Sequence, residues 1–278
     1  MNDFRLKVFN RASLCHHFEE ETFKQMQQKN IKFPTYLSSG QEFISSTIAQ
    51  IMEDKKIEPA IFIQHRGHST YLAFEGNVTE LIDELLGRES GCANGMGGSA
   101  SIQCKDKKIY GHDGLMGSQV PIAVGHCFST RKPTIVFVGD SAAEEDYVLS
   151  AIGWAVTKNL PILFVVEDNN LSILTKKKIR RSWEMDNVAK GFGMINAYNI
   201  SDDPMTIRTY IKDVFDGPML LNINTHRRYW HAGPGCDDEN IFDRYAKELS
   251  ELENKGKLID VKNKKLVEEL WKKQLEIQ

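Results

Sequence analysis

The sequence predicts an α/β fold in which a doubly wound parallel sheet carries helices on both faces. Three observations predict it. Uninterrupted apolar runs at 134–138 (TIVFV), 161–166 (PILFVV) and 219–223 (MLLNI) are the signature of strands buried on both faces, which an all-parallel sheet requires. Stretches with apolar residues at helical spacing lie between and around them. The two kinds of segment alternate along the chain, as they do in open parallel sheets. The 278 residues fit one domain over 1–278, with a helical N-terminal segment over about 1–55 and a helical C-terminal extension over about 237–278.

In order along the chain, Phe4, Leu6, Phe9, Leu14, Phe18, Phe23 and Met26 predict a helix or helix pair over 4–30. Phe43, Ile44, Ile48 and Ile51 predict a second helix over 43–53. IEPAIFIQ is a short β-rich run ending at His65, and 79–86 is helical, with Glu80, Asp83 and Glu84 assigned to its wet face. The glycine density of GRESGCANGMGGSAS disfavours both helix and strand, so 87–101 is read as a loop. Residues 146–158 lie between the first two buried strands and read as the connecting helix. Beyond the third strand, Leu249, Leu252, Leu258, Leu266 and Leu270 predict one apolar face on a charged C-terminal helix, read as a cap on the domain.

Composition excludes several classes. A hydrophobic content of 41% supports a real core, while a net charge of −3 lacks the basic face of a nucleic-acid binder. No apolar run is long enough to cross a bilayer, and MNDFRLKVFN has no apolar h-region, so neither a membrane span nor a signal peptide is expected. The five cysteines are scattered, with no pair at metal-ligand spacing, and read as free thiols of a cytoplasmic protein.

The chemistry sits where two strands end. The first runs into GDSAAEED from Gly139 and the second into EDNN from Glu167. Ligands of open parallel sheets bind outside the carboxyl ends of strands, so Asp140 and Asn169, 29 residues apart, emerge on one binding edge. A carboxylate and an amide oxygen are hard donors that suit magnesium, which completes its octahedron with phosphate oxygens and water. Gly139 lets the backbone come close, and a helix expected to start near Ala142 aims its N-terminus at the same anion. Alone, each turn is ordinary strand-end chemistry. Together, at this spacing, they read as a site. The Glu144–Glu145 pair is taken as a solvated helix start, with recognition of a polar substrate or a partner as the alternative.

Gly-Asp after one strand and an Asn-containing turn after the next resembles the thiamine-diphosphate motif. The chain more specifically resembles the alpha subunit of the 2-oxoacid dehydrogenase decarboxylating component, the group of pyruvate, branched-chain and acetoin dehydrogenases. The resemblance covers about 39–233 through SGQE (39–42), HRGHS (65–69), GRESGCANGMGGS (87–99), GHDGLMGSQVPIAVG (111–125), the metal motif and NTHRRYWHAGP (224–234). It implies a thiamine-diphosphate-binding fold. The magnesium ligands would be the Asp140 and Asn169 side chains and the Leu171 carbonyl. Arg66 and Arg227 would reach the diphosphate, with His65 beside it and Gly139, Ser141 and Ala142 along it. Gly114, Leu115 and Met116 would meet the aminopyrimidine, with Met116 part of the wedge that bends the cofactor. His231 and His68 would face the thiazolium as the catalytic histidines. His112 and His126 are left as structural.

The chain departs from the family pattern at Ser141, where glycine is usual, at Ser150 and Gly153, in place of a Glu and an Asn, at Tyr36, often a His, and at Ala232, where mitochondrial members carry a phosphorylatable Ser. The family's activating Glu belongs to a pyrimidine-binding domain on a beta subunit, so the resemblance implies a two-chain enzyme that decarboxylates a 2-oxo acid or cleaves an acyloin. The acyl or aldehyde unit would pass to an acceptor such as the lipoyl group of an acyltransferase. Two other readings stay open: a carboligase adding the activated unit to a carbonyl such as a sugar, and a non-catalytic partner-binding homologue.

Overall fold

The computed structural model describes residues 2–237 and 241–277. Met1, 238–240 and Gln278, which the sequence reading places in the terminal helical segments, lie outside the described residues. The chain opens with one long helix, α1 (Asn2–Gln27), followed by α2 (Glu42–Lys55). Next come β1 (Ala60–Phe62), α3 (His68–Ala73), α4 (Val78–Leu85), β2 (Ile109–Tyr110) and α5 (Gln119–Thr130). The central unit is β3 (Thr134–Gly139), a 3-10 turn (Ala142–Glu144), α6 (Asp146–Thr157) and β4 (Ile162–Asp168). A small hairpin, β5 (Leu171–Ser172) and β6 (Thr175–Lys176), leads into the four-residue α7 (Lys177–Arg180) and then α8 (Met185–Gly191). The chain finishes with β7 (Asn196–Ser201), α9 (Pro204–Tyr210), β8 (Met219–Asn224) and α10 (Arg244–Glu276).

Six strands form one all-parallel sheet in the order β2-β1-β3-β4-β8-β7. Strand residues alternate between two apolar layers. Ile61, Ile135, Phe137, Leu163, Val165, Leu221 and Ile223 face a core shared with α1, α2, α9 and α10. Phe62, Val136, Val138, Ile162, Phe164, Val166 and Leu220 face a core shared with α5, α6 and α8. Burial on both faces is why β3, β4 and β8 are written as continuous apolar runs. The expected doubly wound α/β architecture is the one observed.

The register positions the site. Gly139 pairs with Glu167, and Asp168 with Asn224, so β3, β4 and β8 end side by side. The residues that follow each strand therefore emerge along one edge. Between β1 and β3 the chain order reverses direction across the sheet, which is where such folds open a crevice.

Three expectations need correction. No α-helix starts near Ala142: a 3-10 turn intervenes and α6 begins at Asp146. Glu84 and Asp83 are not on a wet face, since both are buried. The Glu84 carboxylate accepts hydrogen bonds from the backbone N–H groups of Ala93, Gly95, Gly97 and Gly98, at 2.7–2.9 Å, so the glycine-rich loop is wrapped around it. Gly95 has φ +72°, and a Cβ there would come within 2.6 Å of the Arg88 carbonyl oxygen. The leucine stripe on α10 is broken at Glu253, where φ 50° and ψ −132° interrupt the helix. Leu252 before the break is buried, but Leu258 and Leu266 beyond it are exposed, and the buried stripe there is Asn263, Val267, Trp271 and Gln274. That face packs on α1, with Trp271 fully buried 6.0 Å from Phe18 between ring centroids and Asn263 donating to the Asn10 carbonyl at 2.9 Å.

Candidate active site

The strand ends line one cleft. Gln64, His65 and Arg66 enter it after β1, Gly139, Asp140, Ser141 and Ala142 after β3, and Asn169, Leu171, Ser172 and Ile173 after β4. Glu167, from the last turns of β4, also lines it, as do Arg227 and His231 after β8 and Met116 from the loop before α5. Of the sequence-predicted residues, Gly114 and Leu115 stand beside Met116, exposed rather than in the cleft wall. Gly114 has φ +98° and its N–H donates to His112 Nδ1, so glycine is required for this turn.

The anion-binding side is built from two buried guanidiniums. Arg66 is held by the Leu37 carbonyl at 2.6 Å and the His231 carbonyl at 3.2 Å. Arg227 is held by Asp237 at 2.5 Å and the Ile173 carbonyl at 3.0 Å. Burial, and then the nearby charge of Arg227, lower the Arg66 pKa to about 10. Two cations kept out of water this close together are a site that favours an anion.

The cation-binding side faces the same space. Asp140 is 2% exposed. Burial and the neighbouring Asp168 push its carboxyl up to about 6, against the pull of Arg180. Asn169 donates to Gln41 Oε1 at 2.9 Å, and its Oδ1 accepts from the Leu171 N–H at 3.1 Å, an Asx turn that sets Leu171 in the cleft wall. Carboxylate, amide and carbonyl oxygens form a hard set with few charges, which fits a magnesium ion that takes its other ligands from a diphosphate and water. Among the described residues no group of three or more His, Cys, Asp or Glu is placed to hold a metal ion, so the set is one of a carboxylate, an amide and a carbonyl. At Gly139 a Cβ would come within 3.1 Å of Gln64 Oε1, so the strand end stays bare where a ligand must approach.

Imidazoles occupy the region between. His65 lies 5.4 Å from His231 and 6.1 Å from His112 between ring centroids, and Tyr36 stands edge-on to both His65 and His231. Burial, reinforced by Arg66, pushes His65 down to about 2 and His231 down to about 4. Both are held neutral near pH 7, His65 the more strongly.

His68 is the site residue that the structure moves. Its ring is fully buried, with Nδ1 on Glu19 at 3.1 Å and Nε2 on the Ser99 hydroxyl at 2.9 Å. It is not among the cleft-lining residues. The expectation that it faces a thiazolium is therefore corrected. It ties α1 and the glycine-rich loop to α3, and Ser99 in turn accepts the Tyr36 N–H at 2.9 Å. Glu144 is likewise not a solvated helix start, because it pairs with Arg180 at 2.5 Å.

The sequence reading missed Gln64, Glu167 and Arg180. Glu167 is fully buried, hydrogen-bonded to Gln64, and pushed up to about 7 by burial. Arg180, on α7, donates to the Asp140 carboxylate at 2.5 Å. Its only sequence signal is the basic run KKKIRR at 176–181, eleven residues past Asn169 at Arg180.

A family model described as "Dehydrogenase E1 component" matches residues 10–278. The chain is similar to the pyruvate dehydrogenase E1 component subunit alpha of Rickettsia bellii, at 27% identity over 240 residues, covering 82% of this chain and 72% of that one. It is similar to the mitochondrial pyruvate dehydrogenase E1 component subunit alpha-1 of Arabidopsis thaliana, at 25% identity over 238 residues, covering 82% and 60%. Among solved structures, transketolase from Leishmania mexicana superposes with a TM-score of 0.59 at 12% identity, over 98% of this chain. That likeness concerns the fold alone, and the chain spans 46% of the length of that transketolase.

Proposed function

The chain belongs to the dehydrogenase E1 component family, and on that premise we propose that it is the alpha subunit of a thiamine-diphosphate-dependent enzyme that decarboxylates a 2-oxo acid. The observation that carries the proposal is the single cleft in which buried Arg66 and Arg227 meet the hard oxygen set of Asp140, Asn169 and Leu171. Two guanidiniums for the diphosphate and three oxygens for its magnesium are the complement that such a cofactor needs at its phosphate end. When bound, thiamine diphosphate supplies the carbanion and the electron sink for decarboxylation.

This chain's own residues would act as follows. Arg66 and Arg227 hold the diphosphate, and Asp140, Asn169 and Leu171 hold the metal. His231, neutral and beside Arg66, takes or returns a proton at the reacting end. His65 and Tyr36 exclude water around it. Met116, 37% exposed in the cleft wall, would offer an apolar edge to the bound cofactor.

The site is one wall of a larger one. The cleft encloses about 160 Å³, below the roughly 300–1,000 Å³ of ordinary small-molecule sites. Its carboxylates, Asp140 and Glu167, both sit at the β3 and β4 ends. A carboxylate for the cofactor's aminopyrimidine is expected from a beta subunit, as is the rest of the enclosure. The five cysteines are free, which suits a cytoplasmic location. Within the described residues no helix is long and apolar enough to cross a membrane.

The test is reconstitution. The chain is purified alone and with a beta chain of the same family from the same source, and carbon dioxide release is measured across a panel of 2-oxo acids with magnesium and thiamine diphosphate. Release by the pair and none by the lone chain is expected. Full activity of the lone chain, or no calorimetric heat of cofactor binding to the pair, sinks the proposal. Acceptance of the activated unit by an added aldose in place of a lipoyl domain would turn the reading to carboligation.

A further inference from the structure

Resting on the metal-site reading above, we propose that Arg180 is a built-in competitor for the magnesium ion: its guanidinium occupies the cation position on Asp140 and leaves when the metal arrives. The guanidinium lies across two carboxylates, with Nη2 on Asp140 Oδ2 at 2.5 Å and Nη1 on Glu144 Oε1 at 2.5 Å. It therefore uses an oxygen of the same carboxylate that a metal would need. Two cations cannot share that oxygen at contact distance, so binding of the metal is an exchange and its apparent affinity falls by the cost of expelling the arginine.

The route for the exchange is in the chain. Arg180 ends the four-residue α7, which follows directly on the β5–β6 hairpin that begins at Leu171. One short segment thus supplies both an expected metal ligand and the charge that keeps the metal out. The start of α7 stays anchored whichever cation is present, because Lys177 is held by Asp168 at 2.6 Å and Glu184 at 2.9 Å. Glu144 remains as the resting place of the displaced guanidinium. Meanwhile Arg181, packed on Trp183 and reaching the Asp140 carbonyl at 3.3 Å, keeps the strand end fixed. Three apolar side chains of the segment stand in solvent, Ile173, Leu174 and Ile179, at 58%, 77% and 73% exposure. Nothing packed on them resists a shift of α7.

The experiment titrates the full chain with Mn2+ alone, followed by electron paramagnetic resonance at pH 8, for the wild type, Arg180→Gln, Arg180→Ala and Asp140→Asn. Hydrogen exchange of residues 171–181 is measured with and without the metal. We expect Arg180→Gln and Arg180→Ala to bind Mn2+ at least tenfold more tightly than the wild type and Asp140→Asn to lose the site. In the wild type, Mn2+ should loosen 178–181. The two arginine variants should be loose without it. Equal or weaker Mn2+ affinity in the arginine variants, with the site still lost in Asp140→Asn, overturns the competition while leaving the metal site intact. Binding that ignores Asp140→Asn overturns both. No binding by any variant at millimolar Mn2+ also overturns the competition, since removing the arginine should have opened the site.

Discussion

Acidification should weaken the fold through His65, and replacing that residue should remove the loss. Burial, with the charge of Arg66 added, holds the His65 pKa at about 2 in the folded chain, against about 6.5 in the unfolded chain. The unfolded chain therefore takes up a proton below pH 6.5 that the folded chain refuses. Stability that is complete well above pH 6.5 is lost as the pH falls, with a slope that approaches about 1.4 kcal/mol per unit, or about 2 kcal/mol between pH 6.5 and 4.5. His231 adds a smaller loss in the same direction, because it is less buried and water screens it. The raised carboxyls of Asp140 and Glu167 oppose both, since they take up protons in the folded chain first and so favour it on acidification.

The wild-type curve mixes these effects, so the informative quantity is a difference. Urea denaturation of the wild type and His65→Gln at pH 7.5, 6.5, 5.5 and 4.5 yields two unfolding free energies at each pH. The gap between them should move in the variant's favour by about 2 kcal/mol from pH 6.5 to 4.5. A gap that stays constant over that range refutes the reasoning, because it means that His65 accepts its proton in the folded state at no cost.

Other substitutions probe the scaffold and the anion side. Glu84→Gln keeps one acceptor for four N–H groups, and at about 1–3 kcal/mol for each orphaned donor it should cost about 2–6 kcal/mol in urea denaturation. Trp271→Ala should cost about 3–5 kcal/mol, and hydrogen exchange should show α1 and α10 losing protection together; loss in α10 alone would mean that the two helices do not share a core. Arg66→Lys cannot span both the Leu37 and His231 carbonyls and loses the planar fork, so calorimetry should show pyrophosphate affinity falling at least tenfold, with a cost of about 1–3 kcal/mol in urea denaturation for the carbonyl left without a donor.

What the sequence revealed followed from what is periodic or strand-terminal. β3, β4 and β8 were legible because burial on both faces demands apolar residues at every position. β7 was not, because NAYNIS lies at the sheet edge and alternates buried and open positions with polar residues among them. α5 was hidden by Pro121 and Gly125, yet the proline is in the first turn, where no hydrogen bond is lost. Glu84 was assigned to solvent because helical spacing cannot register a loop that folds back thirteen residues later. The break at Glu253 likewise rephases α10 at a residue that is itself neither glycine nor proline, three positions before Gly256.

At the site, Asp140, Asn169, Arg66, Arg227 and His231 come together in one cleft because each follows a parallel strand and the register aligns the ends. His68 shares a motif with Arg66 but begins a helix that turns it inward, and two residues of separation are enough to change which side of the strand end a side chain meets. Arg180 depended on a hairpin whose return path carries no local pattern.

The cleft draws on residues from Gln64 to His231, and this has a consequence for the order of events in a cell. A chain still being synthesised has β1, β3 and β4 before it has β8, and so holds the residues of the metal side but only one of the two guanidiniums. The anion side stays incomplete until the chain has passed β8. A ligand that needs both arginines meets only finished molecules, and by binding them alone it withdraws them from the unfolding equilibrium. Cofactor supply would then set how many completed copies persist, rather than how quickly each is made.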